Sequence, residues 1–329
     1  MFSAIYIEEE VATSTRVEQI LDRFPSVPKI QCQRYGEVFN RNAQNFRLQK
    51  KAPSLILAKK YGNLVLPAPD GYGFNNSQSF YFSHMLNCVY DCRYCFLQGM
   101  YRSANYVLFV NYEDFAMALV ESINHDSDSR VFYSGYDCDS LALEPVSNFC
   151  RFFIPLFAKY PQATLEIRTK STQIRGLLET PPIPNCIIAM SFTSQDATQK
   201  WEHKVPSISK RIDALKKLQK AGWQIAIRFE PLIFEEGYHR QYQQLFTDIF
   251  TELDAARIHS VSTGLFRMPV DYHRKIVKLY PDEALFARAT DTRNGMVSLR
   301  CEQEAAHLQR IEELLFGFIS PQQYYRCAD

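Results

Sequence analysis

Between residues 79 and 265 short apolar runs alternate with longer amphipathic stretches, and this alternation restricts the fold more than any other feature of the chain. The apolar runs fall at 79–83, 130–134, 164–169, 186–192, 224–229 and 258–265. Helical patterns lie between them at 112–124, 145–159, 171–179, 207–221 and 238–253. Short runs rich in β-branched residues and bounded by turn residues suit parallel strands covered on both faces. Parallel neighbours need a crossover, and that crossover is right-handed. Six such repeats predict an α/β fold, a partial (β/α)6 barrel of TIM type, with the loops after each strand gathered at one end. In barrels that end carries the active site. The clearest helix is 207–221: Ile208, Ile212, Leu215 and Leu218 form its apolar stripe, and Gly222 stops it. Lys210, Arg211, Lys216, Lys217 and Lys220 lie mostly off that stripe and predict a solvated face.

The flanks read differently. Residues 1–77 predict a small N-terminal α/β domain, with strands near 4–7, 29–33, 55–59 and 64–66 and a helix over 13–24. The stretch 38–52, carrying Arg41, Arg47, Lys50 and Lys51, predicts a solvated connector rather than a nucleic-acid contact, and 67–76 a loop. The barrel domain is expected over 78–270 and a hairpin-plus-helix region over 271–329. Within the latter, Asn294-Gly295 between two short runs signals a β-hairpin, because a type I′ turn needs positive φ at both central residues. Arg288, Arg293 and Arg300 decorate the hairpin, which either enters a DNA groove or lies as a surface ribbon, and a helix over 302–315 follows.

Composition sets the limits. With 46% hydrophobic residues, a chain of 329 residues can build one large barrel core. Its 37 basic and 36 acidic residues give no global positive field, so a nucleic-acid partner needs a local patch. No apolar run reaches the length that spans a bilayer, so no membrane association is expected. The start MFSAIYIEEEV has no basic n-region. Nine cysteines, an odd number, predict free thiols in a reducing, cytoplasmic setting.

Residues 88–95 read CVYDCRYC, placing Cys88, Cys92 and Cys95 just after the first predicted strand, at the functional end of the barrel. A structural zinc site takes four protein ligands. Three thiolates on a four-iron cluster leave one iron open to chemistry. The alternatives are a zinc site completed by His84 and three reduced, buried cysteines. The other strand-end loops carry Ser134, Gly135, Tyr136, Asp137, Cys138 and Asp139, then Lys170, Ser191 and Glu230-Pro231. A polar residue at such an edge reaches a ligand lying across the barrel mouth: Asp139 suits ribose hydroxyls or an amino group, and Lys170 a carboxylate.

With CVYDCRYCFLQ, the RTK after the third strand, the SF at the end of the fourth, KRIDALKKLQKAGW, EPLIFEEGY and the arginine hairpin in this order, the chain resembles the spore photoproduct lyase family over most of residues 1–320. These are radical S-adenosylmethionine (SAM) enzymes of DNA repair. The resemblance implies a radical SAM partial barrel, a 4Fe–4S cluster, SAM, damaged thymines in DNA as the target, and a cellular electron donor such as a flavodoxin or ferredoxin. The reaction implied is reversal of 5-thyminyl-5,6-dihydrothymine through a 5′-deoxyadenosyl radical. It also implies that Cys88, Cys92 and Cys95 hold the cluster, that Asp139, Lys170 and Ser191 help to hold SAM, that Tyr94 matches a family tyrosine, and that Arg293 resembles the hairpin arginine beside the lesion. Two positions depart from the family pattern. The family's hydrogen-donor cysteine is Tyr136 here, and the relay tyrosine after the third cluster cysteine is Phe96. Cys138 lies two residues from the donor register. Either Tyr136 or Cys138 rebuilds the donor route, or a radical SAM enzyme of the same architecture acts on another substrate. A non-catalytic iron–sulfur or zinc protein that binds nucleic acid is the third reading.

Overall fold

The computed structural model describes residues 2–69, 78–125 and 129–327. Most of the loop expected at 67–76 lies outside them. All six barrel strands are present, at Gln78–Phe82, Arg130–Ser134, Ala163–Thr169, Cys186–Ser191, Gln224–Leu232 and Ile258–Leu265. They pair in chain order, each parallel to the next. All point the same way, with Phe82 opposite Ser134 and Ser191 opposite Arg228, so the following loops emerge at one end of the sheet. Leu66–Pro67 adds an antiparallel strand at one edge, and Tyr324–Arg326 a parallel one at the other, completing an eight-stranded sheet. The sheet does not close: among the described residues its two edges do not pair with each other.

Strand periodicity sorts the side chains. Leu165, Ile167, Ile188, Met190, Ile225 and Ile227 pack with the surrounding helices in the main core. The alternate positions face into the barrel, beginning with a small apolar layer of Ile187, Ala189 and Ala226. Towards the C-terminal end this face becomes charged. Arg228 Nη2 lies 2.9 Å from Glu166 Oε2, and Arg168 Nε lies 2.7 Å from Glu166 Oε1. Burial alone would raise the Glu166 carboxyl, but Arg228 and Arg168 outweigh it and hold it at about 2, against an ordinary 4.5. A depressed folded-state pKa contributes stability that is complete above the unfolded value. The contribution is lost as pH falls from about 4.5 towards 2. Its size is about 3 kcal/mol. Denaturation followed from pH 7 to pH 3 is expected to show a steep acid limb that Glu166→Gln flattens; a variant with the same limb would contradict this account.

The predicted helices at 112–124, 207–221 and 238–253 occur as Tyr112–Asn124, Ile208–Lys220 and Tyr238–Glu252. Two others differ. The stretch 145–159 is divided by Asn148, whose φ is 48°, into Glu144–Ser147 and Phe149–Phe157. The stretch 171–179 shrinks to Arg175–Leu178, because the Thr169 and Ser171 hydroxyls accept the amides of Ser171 (2.8 Å) and Gln173 (3.1 Å) and hold that segment in turns. Lys210, Lys216, Lys217 and Lys220 are exposed, as expected. Arg211 is not; its side chain is fully buried.

A second sheet of five strands runs in the order Lys29–Cys32, Ile5–Glu8, Leu55–Ala58, Tyr106–Phe109 and Met85–Leu86. It therefore draws on residues on both sides of position 78. The basic stretch before it is not a simple solvated connector. It forms Gly36–Phe39 and Phe46–Gln49, burying Phe39, Phe46 and Lys50, while Arg41, Arg47 and Lys51 stay exposed. The hairpin is present as Thr290–Arg293 and Met296–Leu299, with Asn294 and Gly295 at φ 48° and 75°. Arg267–Pro269 extends it to three strands, and the helix after it is Glu304–Leu315. No helix among the described residues is long and apolar enough to cross a membrane.

Candidate active site

After the first barrel strand the chain turns away at Asn87, which adopts φ 68°. Its side-chain amide donates to the carbonyls of Ser103 and Asn105, both at 2.7 Å, and so fixes the entry to the cysteine loop. Within the loop Asp91–Cys92 pairs antiparallel with Glu202–His203, and the Arg93 amide donates to the Trp201 carbonyl at 2.9 Å. A short helix, Leu97–Met100, follows Cys95. It packs against 270–279 through Gly99, where a Cβ would stand 2.4 Å from the Tyr272 carbonyl oxygen.

Cys88, Cys92 and Cys95 are free thiols lining one cavity of about 310 Å³ at the C-terminal end of the barrel strands. Tyr94, Tyr136, Cys138, Asp139, Lys170 and Ser191 line the same cavity. Burial pushes all three thiols up, Cys88 to about 12, so a metal must displace their protons to bind. No three His, Cys, Asp or Glu side chains among the described residues are grouped to hold one metal ion. His84 does not complete a zinc site. It is buried with its ring 4.4 Å from that of Phe149 and does not line the cavity. Three soft sulfur ligands spread around a common cavity, and not grouped on one point among the described residues, suit an iron–sulfur cluster better than one zinc ion.

The predicted cofactor residues hold one another. Asp139 Oδ1 accepts from Thr169 Oγ1 at 2.7 Å and the Leu141 amide at 3.0 Å, and Oδ2 from the Lys170 amide at 2.6 Å. Its carboxylate thus ties the second strand-end loop to the third. Lys170 Nζ lies 3.7 Å from Glu202 Oε1 and 5.8 Å from the centre of the Tyr94 ring. The Ser191 carbonyl accepts from Arg211 Nη1 at 2.8 Å, and Ser191 lines the cavity. Tyr94 is buried, its hydroxyl bonded to Glu202.

Tyr136 and Cys138 diverge. The Tyr136 ring packs, tilted, with its centre 4.4 Å from that of Tyr81 and 5.6 Å from that of Phe96. Cys138 is buried among apolar residues including Met85 and Val146, where the second sheet meets the barrel. Arg293 is exposed at the hairpin turn and does not line the cavity. Arg288 Nη2 donates to the Phe234 carbonyl at 2.7 Å, and Arg300 pairs with Asp291 at 2.9 Å.

Sequence reasoning singled out Glu230 at the end of the fifth strand but gave no functional role to Glu202, Arg168, Cys327 or Lys50. Glu202, whose side chain is fully buried, pairs with Arg211 Nη2 at 2.6 Å and joins Tyr94 to Lys170. Arg168, Glu230 and Cys327 form the cavity's polar wall: Cys327 Sγ donates to Glu230 Oε1 at 2.9 Å, and Arg168 Nη1 lies 3.4 Å from Glu230 Oε2. Lys50 comes up beneath the cysteine loop. Burial pulls its pKa down and Asp91 opposes that shift. The buried strand position of Arg168 was a usable signal; Glu202, in the polar run EHK, had none.

The family model described as spore photoproduct lyase matches residues 74–295. Spore photoproduct lyase of Clostridium acetobutylicum is 22% identical over 200 residues, 60% of this chain and 59% of that protein. The Bacillus subtilis protein of the same name is 23% identical over 202 residues, with 60% and 59% covered. The chain thus aligns with about three fifths of the length of these curated relatives. Among solved structures, spore photoproduct lyase complexed with dinucleoside spore photoproduct superposes with a TM-score of 0.84 at 18% identity, covering 99% of each chain. A variant with bound AdoMet and the dinucleoside gives 0.84 at 17%, covering 100% of this chain and 98% of that one. At these identities the likeness is one of fold.

Proposed function

The chain belongs to the spore photoproduct lyase family, and from that premise we propose that it is a radical SAM lyase that reverses 5-thyminyl-5,6-dihydrothymine in DNA. The observation that carries this reading is the meeting of Cys88, Cys92 and Cys95 with Asp139, Lys170 and Ser191 around one cavity. The three cysteines would hold a 4Fe–4S cluster with one iron left open. Bound together, the reduced cluster and SAM would supply a 5′-deoxyadenosyl radical. The rest falls to the chain's own side chains. Lys170, oriented by Glu202, would meet the SAM carboxylate, and the Ser191 hydroxyl its polar groups. Asp139 would shape the pocket from behind through the amides it binds. Phe96 and Tyr136 would keep water from the reacting carbon. Nine free cysteines support a reducing, cytoplasmic setting in which a flavodoxin or ferredoxin donates the electron.

In this reading the barrel carries the cofactors and the hairpin over 290–299 meets the DNA. Arg293→Ala is then expected to weaken binding to lesion-bearing duplex and to lower the salt slope of that binding by about one. SAM cleavage without DNA should stay at the wild-type rate, and an unchanged slope would remove Arg293 from the interface.

A second reading, another nucleic-acid substrate for the same machinery, is favoured by one observation. The family's donor position is filled by Tyr136, packed against Tyr81 and Phe96, while the thiol of Cys138, at the edge of the same cavity, is buried in an apolar cluster. Anaerobic reconstitution with iron and sulfide, then reduction with SAM and the dinucleoside photoproduct, separates the two. Deoxyadenosine with restored thymine supports the first; deoxyadenosine without thymine supports the second. A fully loaded protein yielding neither would overturn both.

A further inference from the structure

Lys50 is placed where a lysine is costly. Its residue is only 7% exposed, and an ammonium in such a setting needs close partners. Those partners belong to the cysteine loop, about forty residues further along the chain. Lys50 Nζ donates to the Tyr90 carbonyl at 3.2 Å and the Cys88 carbonyl at 3.3 Å, with Asp91 Oδ1 at 3.9 Å. The Lys50 carbonyl accepts in turn from Lys204 Nζ at 3.0 Å. Lys204 directly follows the strand Glu202–His203, which pairs with Asp91–Cys92. One residue outside the cavity lining thus joins the loop to its strap.

Resting on the iron–sulfur reading above, we propose that Lys50 is a positioning residue of the cluster loop and that its buried charge makes the cluster easier to reduce. The two carbonyls it holds flank Val89, so it fixes the backbone that aims the Cys88 thiol. Adding an electron to a cluster ligated by Cys88 adds negative charge near a buried cation, and in a poorly screened interior that attraction is strong. Outer groups bonded to ligand residues tune metal sites in this way. The proposed reaction begins with that reduction, so the effect lies on its path.

Three variants test this: Lys50→Arg, Lys50→Gln and Lys50→Met. In metal-free protein, amide hydrogen exchange over residues 88–95 is expected to quicken about tenfold in Lys50→Met and Lys50→Gln, as a charge-assisted anchor is lost. After reconstitution, the midpoint potential of the cluster is expected to move to lower values in both, while Lys50→Arg stays near wild type. Should Lys50→Met fail to fold, Lys50→Gln carries the same comparison. Wild-type exchange and midpoint in the Gln and Met variants would overturn the inference. A wild-type protein that takes up no cluster would instead overturn the functional reading, and the exchange measurement would still decide the positioning role.

Discussion

Cys92→Ala is expected to abolish assembly of a four-iron cluster and to reduce deoxyadenosine formation to background, at a cost of about 1 kcal/mol in stability. Cys92 is buried in the two-residue ladder with Glu202–His203 and lines the cavity beside Cys88 and Cys95. Two remaining thiols cannot hold the cluster in one orientation, and His84 is stacked on Phe149 and out of reach as a substitute. Cys186→Ala is the control. That thiol lies in the barrel core, away from the cavity, so its loss should cost comparable stability and leave iron content unchanged. Iron-to-protein ratio and visible absorbance after anaerobic reconstitution give the answer. Wild-type iron in the Cys92 variant would end the assignment of this residue as a ligand.

The second large effect is thermodynamic. Glu202→Ala leaves the Arg211 guanidinium, whose side chain is wholly inaccessible to solvent, without its carboxylate. Removing one partner of a buried pair costs about 3–5 kcal/mol, because an uncompensated charge stays behind. Tyr94 and Lys170 lose a partner in the same step, so SAM affinity should fall with stability. Urea denaturation measures the first and equilibrium SAM binding the second. Glu202→Gln combined with Arg211→Met should recover part of the lost stability, since neither buried charge then remains. A single variant costing under about 1 kcal/mol would mean that this pair does not hold the strap against the cysteine loop.

The legible part of the fold was the part with a period. Residues 186–190 form a continuous apolar run, CIIAM, preceded by an asparagine, and such runs serve as buried parallel strands whatever their neighbours. Asn294-Gly295 signals its turn because few residues tolerate positive φ there. The cysteine spacing placed the site for a similar reason, being local in sequence. Lys50, Glu202 and Arg211 were missed because their burial is decided by residues far along the chain. Lys50 finds its carbonyls across a separation of 38–40 residues, and Glu202 finds Tyr94 across 108. A ladder of two residues, such as Asp91–Cys92 with Glu202–His203, is too short to carry any alternation. Arg211 occupies a helix position that reads as polar surface until its neighbours close over it.

The sheet's failure to close has a consequence for how the molecule behaves in a crowd. An open barrel offers two rows of unpaired backbone groups, and a long flat edge of that kind invites strands from other chains. Here the outermost strands are scraps, Leu66–Pro67 at one end and Tyr324–Arg326 at the other. Each is too short to template a stranger, and the first ends in a proline that has no N–H to offer. The barrel can therefore stay parted without becoming adhesive.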